Sequence, residues 1–294
     1  MHAIQQLIDE HSDHLAFVLG NGINRYGNNN ALSWDELLMQ LWEKVSKEKL
    51  NGRPEGCSLT EFYDVLNIKN KRKVDLGKEV SSLLQEWEGM DQHKRMVDAI
   101  AKANLPLLTT NFDETLAGSA EMELRKIAGG GFSDYYPWNA YHGSHKLSAP
   151  DAGFGVWYVN GLIHYPRSIR LGLSQYMGSV ERARGLIQGK KETGLYAASS
   201  KKPWGGKNTW LDLIFHKSLC FVGLGLEENE TFLRWLLIER VKYFNKFPSR
   251  RKPAWYMHPK SSGEINEGKK FFLNNMGVEV HEVVDFDAIY APSI

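Results

Sequence analysis

The sequence predicts an α/β fold, a doubly wound and mainly parallel sheet with a helical insertion, on three observations. Short apolar runs without polar alternation recur along the chain, as strands buried on both faces of a parallel sheet require. Each run passes at once into glycine or small polar residues and then into helical periodicity, the order of a Rossmann-like unit. Residues 51 to 103 carry helical patterns and no strand signal, which marks the insertion. The 294 residues suit a single α/β domain, 1–294, that contains it.

The first strand is residues 15 to 19 (LAFVL), with Gly20 and Gly22 directly after it. Ser33 and Glu36 have capping-box spacing, and Trp34, Leu37, Leu38, Leu41, Trp42 and Val45 recur at helical intervals, so a helix begins near Trp34. Val80, Leu83, Leu84 and Trp87 trace one helix of the insertion. The strand pattern resumes at residues 105 to 109, and the following TNFDETL carries polar residues into a helix. Residues 129 to 155, rich in Gly, Tyr, His and Pro, read as irregular, and residues 156 to 159 and 168 to 171 read as short strands around a loop. Residues 219 to 223 form another buried strand, leading through LGLEENE to an apolar helix whose acidic start suits the helix dipole. Strands at 254 to 257 and 278 to 283 flank a last helix that ends before Gly277.

Charge and composition narrow the function classes. Lys and Arg number 36 against 35 Asp and Glu, a formal charge of +1, so there is no global positive field to hold nucleic acid. The basic clusters at residues 69 to 73 and 250 to 252 read as solvated loop ends. No apolar run approaches the roughly 18 residues that span a bilayer, and the N-terminal MHAIQQLIDEHSDHLAFVL lacks the layout of an export signal. A cytoplasmic protein without a membrane segment is expected. Cys57 and Cys220 are the only cysteines, too few for a disulfide framework or a four-cysteine zinc site, and no metal is expected.

Ligands of doubly wound sheets gather at the carboxyl ends of the strands. Gly20 and the loops at Asn111, Asn160 and Gly223 all follow predicted strands, so one crevice is expected to collect them. Gly20 and Gly22 allow backbone amides to approach a diphosphate, although a strand ending in glycines is equally a plain turn. Thr109, Thr110, Asn111 and Asp113 read either as turn and cap residues or as groups that hold a ribose hydroxyl or water and oppose a developing positive charge. Trp204, Trp210, Tyr135, Tyr136 and Trp138 read as core or interface aromatics rather than adenine stackers.

Thr-x-Asn-x-Asp after a buried strand resembles the nicotinamide-ribose motif of sirtuins. FVLGNGINRYGNNNALSWDELL resembles that family's opening phosphate loop, with Asn21 and Asn24 where alanine and serine are usual. VNGLIHYPRSIRLGLSQY resembles the His-Gly segment of the bacterial sirtuin-like group, and FVGLGLEENETFLRWLL its late glycine loop. Without four cysteines, the chain resembles the zinc-free NAD hydrolases of that family more than its zinc-bearing deacylases, and the resemblance implies a role in antiphage defence. The resemblance implies NAD as substrate and no metal, with NAD contacts from Gly20, Asn21, Gly22, Asn24, Thr110, Gly161, Gly223, Gly225 and Glu228. It gives catalytic roles to Asn111, which positions water or ribose, and Asp113, which stabilises a cationic transition state. It also implies a homo-oligomer, a sensor or activator protein encoded nearby, or both.

One position departs from the family. Gly161 to Pro166 matches a motif that calls for a preceding histidine, and Asn160 stands there. A carboxamide is not a general base. An introduced inactivating substitution and a natural variant that uses another group both explain this, with His164 in the same loop and the pair His142-Gly143 as other imidazoles. A non-enzymatic NAD or nucleotide sensor is the alternative function.

Overall fold

The computed structural model describes residues 2–12, 14–28, 31–129, 132–189, 193–197 and 203–291. The chain opens with α1 (His2–His11) and enters β1 (Leu15–Leu19), whose five residues are all buried. A short α2 (Gly22–Arg25) leads to α3 (Trp34–Val45), which starts where Ser33 and Glu36 close a capping box. The insertion supplies α4 (Leu59–Lys69), α5 (Leu76–Gln85) and α6 (Asp91–Lys102). Then come β2 (Leu107–Thr109), α7 (Thr115–Gly118), β3 (Glu123–Lys126), β4 (Ala140–Gly143) and β5 (Val156–Tyr158). The remainder is α8 (Leu173–Gln188), α9 (Trp210–His216), β6 (Ser218–Val222), α10 (Thr231–Lys246), β7 (Ala254–Pro259), α11 (Glu267–Asn275), β8 (Val278–Val283) and α12 (Asp287–Tyr290).

The strands form one eight-stranded sheet in the order β3-β4-β5-β2-β1-β6-β7-β8. From β5 to β8 every pairing is parallel, with Phe17 opposite Leu107 on one side and Cys220 on the other. Only the β3-β4-β5 edge is antiparallel. This is a Rossmann-like, doubly wound α/β fold.

The continuous apolar runs follow from burial on both faces. Ala16, Val18, Leu219 and Phe221 point into one core, and Leu15, Phe17, Leu19 and Cys220 into the other. Each Val, Leu or Phe among them contributes on the order of 1.5–3 kcal/mol when buried. A third cluster joins α3, α4 and α5 through Leu38, Leu41, Leu66 and Val80. No helix among the described residues is long and apolar enough to cross a membrane.

Three expectations are corrected. Residues 168 to 171 form no strand; a 3-10 turn over Pro166–Ser168 precedes an extended stretch. The Ser168 hydroxyl donates to Tyr165 O at 2.7 Å, while Ile169 and Leu171 are apolar because they pack against the α3–α5 cluster. The segment 129 to 155 is not wholly irregular, since β4 lies in it, buried between β3 and β5. Helix α10 starts later than the acidic run suggests: Glu230 is its N-cap, Thr231 its first residue, and Glu227 lies before it, paired with Lys269.

Candidate functional site

The chain crosses from β5 to β6, on the opposite side of β1, so the switch point of the sheet lies at β1. Loops leaving β1 and its neighbours diverge there and open a crevice, the usual ligand position in such folds. A cavity of about 900 Å³ occupies it, near the upper end of the roughly 300–1,000 Å³ common for small-molecule sites.

Of the predicted site residues, Asn21, Gly22, Thr110, Asn111, Asp113, Asn160, Gly223 and Gly225 line this one cavity. They arrive on the loops after β1, β2, β5 and β6, which is the convergence expected from the strand pattern. Gly20, Asn24 and Gly161 are not lining residues; the first two touch those that are. Gly20 O accepts from Asn111 Nδ2 at 3.3 Å, and Asn24 Nδ2 donates to Asp113 Oδ2 at 2.8 Å. His164 and Glu228 are exposed and do not line the cavity. His142 is buried in β4, likewise away from the lining.

Glycine is required where the β1 and β6 loops touch. A Cβ on Gly20 would lie 2.5 Å from Gly223 O, and Gly223 itself has φ +62°. The backbone bond from Gly22 N to Gly223 O, 2.8 Å, ties the two loops together. These glycines therefore let the two loops meet backbone to backbone beside the cavity.

Asp113 is held by a network that the sequence reading missed. Its carboxylate accepts from Asn24 Nδ2, from Thr115 N at 3.1 Å and from the Thr115 hydroxyl. Asn24 is in turn fixed by His93 of α6, whose Nε2 lies 2.7 Å from Asn24 Oδ1. Met90 N donates to His93 Nδ1 at 2.9 Å, so the ring is neutral and Nε2 carries the proton. Burial pushes the His93 pKa below its ordinary value, against the opposing pull of Asp113, in keeping with that tautomer.

Asn160 is only 4% exposed, and its backbone O accepts from Arg170 N at 2.9 Å. Its carboxamide makes no hydrogen bond to the described residues, and the residue lines the cavity. Other lining groups escaped the sequence reading: Arg25, Trp34, Tyr176 and Glu230. Trp34 Nε1 and the Tyr176 hydroxyl are buried without a protein partner. Trp204, Trp210 and Trp138 sit in the core, as expected.

Among the described residues, no group of three or more His, Cys, Asp or Glu could hold a metal ion. No family model matches the chain, and no curated protein matches it significantly.

Proposed function

We propose that the cavity binds NAD and that the chain is a sirtuin-like NAD glycohydrolase releasing nicotinamide and ADP-ribose. The observation that carries this reading is the meeting of Asn111 and Asp113, from the loop after β2, with Asn160, from the loop after β5, in one cavity of about 900 Å³. Cleaving the bond between nicotinamide and ribose builds positive charge on the sugar. A fixed carboxylate beside it lowers the barrier because it needs no reorganisation at the moment of reaction. Asp113, held by three hydrogen bonds, meets that requirement. Asn111 has a single side-chain bond, to Gly20 O, so its carboxamide oxygen is available to a water or a ribose hydroxyl. Arg25 is the one Lys or Arg among the described lining residues and would face the diphosphate.

A second reading follows from Asn160. With a carboxamide where an imidazole is expected, the same cavity would serve an NAD or nucleotide sensor. The effector role in antiphage defence, the homo-oligomer and the nearby sensor or activator protein belong to the first reading.

Calorimetry with NAD, coupled to chromatographic analysis of nicotinamide, separates the two. Binding with release supports the hydrolase. Binding without release, also in Asn160→His, favours the sensor, and absence of binding rejects both.

A further inference from the structure

Glu230 stands at the N-cap of α10 without using its side chain to cap the helix. Its backbone is engaged, N to Glu227 O at 3.0 Å and O from Arg234 N at 2.9 Å, but its carboxyl has no hydrogen-bond partner among the described residues. The residue lines the cavity together with Asp113 and Asn160. Its neighbour there is Tyr176 of α8, whose buried hydroxyl is also unpartnered. A half-buried carboxyl that lines the cavity and neither caps nor pairs has its hydrogen-bonding capacity open to a ligand.

We propose that Glu230 is the general base of this cavity and takes the part that Asn160 cannot perform. The inference rests on the N-glycosidic reading above. The Glu230 carboxylate accepts a proton from water as the water oxygen bonds to ribose C1′. The bond from C1′ to the nicotinamide nitrogen breaks, and its electron pair leaves with neutral nicotinamide. The proton then passes from Glu230 to solvent, and no other reactant is needed. Asp113, fixed by its hydrogen bonds, faces the cationic sugar, so two carboxyls divide the work.

The surroundings fit a proton acceptor at neutral pH. Burial pushes the Glu230 carboxyl up to about 7, close to the value that suits a base working near pH 7. Tyr176 is the titratable group facing it, with Arg170 beyond. The remaining acids of the lining are Glu36, Asp113, Asp285 and Asp287.

The test is nicotinamide release by the full chain with NAD, as a function of pH, for the native protein, Glu230→Gln and Glu230→Asp. Glu230→Gln is expected to lower kcat at least about 100-fold while the Kd for NAD stays within about threefold. Glu230→Asp should keep an intermediate rate, and the native profile should rise with a midpoint near 7. Equal rates in native protein and Glu230→Gln would overturn the role of Glu230 and leave the hydrolase reading intact. NAD binding without release at any pH between about 5 and 9 overturns both.

Discussion

His93 Nε2 lies 2.7 Å from Asn24 Oδ1, a contact between helix α6 of the insertion and the short helix α2 that follows β1. Asn24 passes the constraint to Asp113 on one side and to Asn21 Oδ1, 3.0 Å away, on the other. The insertion therefore orients the candidate catalytic carboxylate through α6, a helix that contributes no residue to the cavity lining.

His93→Leu should expose that dependence. It leaves the Met90 N–H without its acceptor and Asn24 Oδ1 with only the Thr115 hydroxyl. An unsatisfied buried group costs about 1–3 kcal/mol, readable by urea unfolding. If Asp113 acts as proposed, kcat should also fall by about 10- to 100-fold with KM little changed. A variant as stable and as fast as the native protein would show that the contact positions nothing.

Gly20→Ala and Gly225→Ala should part company. The Gly20 Cβ would meet Gly223 O at 2.5 Å and Leu224 Cα at 2.7 Å, both backbone, whereas a Cβ on Gly225 meets Glu227 Cγ at an ordinary 3.4 Å. We expect Gly20→Ala to cost about 1–3 kcal/mol and Gly225→Ala less than about 0.5 kcal/mol. Thermal melts of the two proteins check this, and equal losses would contradict the close approach of the β1 and β6 loops.

Much of the sheet was legible because parallel strands leave an unmixed apolar signature: LAFVL and SLCFV are buried at every position. The edge was not. Strand β3, ELRK, is exposed or half-buried throughout, and β4, AYHG, owes its place to antiparallel pairing with β3 and β5 on either side. The same divide runs through the site. Asn111 and Asp113 stood out by following a strand, but Glu227, Glu228 and Glu230 form a run whose members no local pattern can sort. Packing separates them, one paired with Lys269, one in solvent and one in the cavity. His93 carried no signal, since the Asn24 that it orients arrives from elsewhere in the fold.

Asn111→Ala should dissociate activity from stability. Its side chain makes one long bond, 3.3 Å to Gly20 O, so its loss should cost no more than about 1 kcal/mol. Nicotinamide release, if Asn111 positions water or ribose, should fall by at least about 100-fold. Retained turnover would reject the role.

Acid should destabilise the fold through His142. Burial pushes its pKa down to about 4, with His164 adding to the effect. Below about 6.5 the unfolded chain takes up a proton that the folded chain refuses, so stability falls as pH drops from about 6.5 towards 4. The full contribution is on the order of 3 kcal/mol. The Glu114 carboxyl, which burial raises and which lies 3.7 Å from His142 Nε2, works in the opposite direction. Urea titrations at several pH values should show a shallower acid slope for His142→Phe than for the native protein, and an unchanged slope would place the acid sensitivity elsewhere.

Glu230 should carry the opposite sign, and at the other end of the pH range. Its folded pKa is raised to about 7, so the folded chain holds a proton that the unfolded chain has already lost. Stability from this group is complete below the ordinary glutamate pKa and is lost as pH rises through about 7. Glu230→Gln keeps the shape and removes the ionisation. It should therefore be more stable than the native protein at pH 8, by about 1–3 kcal/mol, and indistinguishable from it at pH 4. Because the comparison needs no substrate, it tests the burial of this carboxyl whether or not NAD is cleaved. A native protein as stable as Glu230→Gln at pH 8 would mean that water or a cation already reaches the carboxylate, and the reason for expecting a base at this position would be gone.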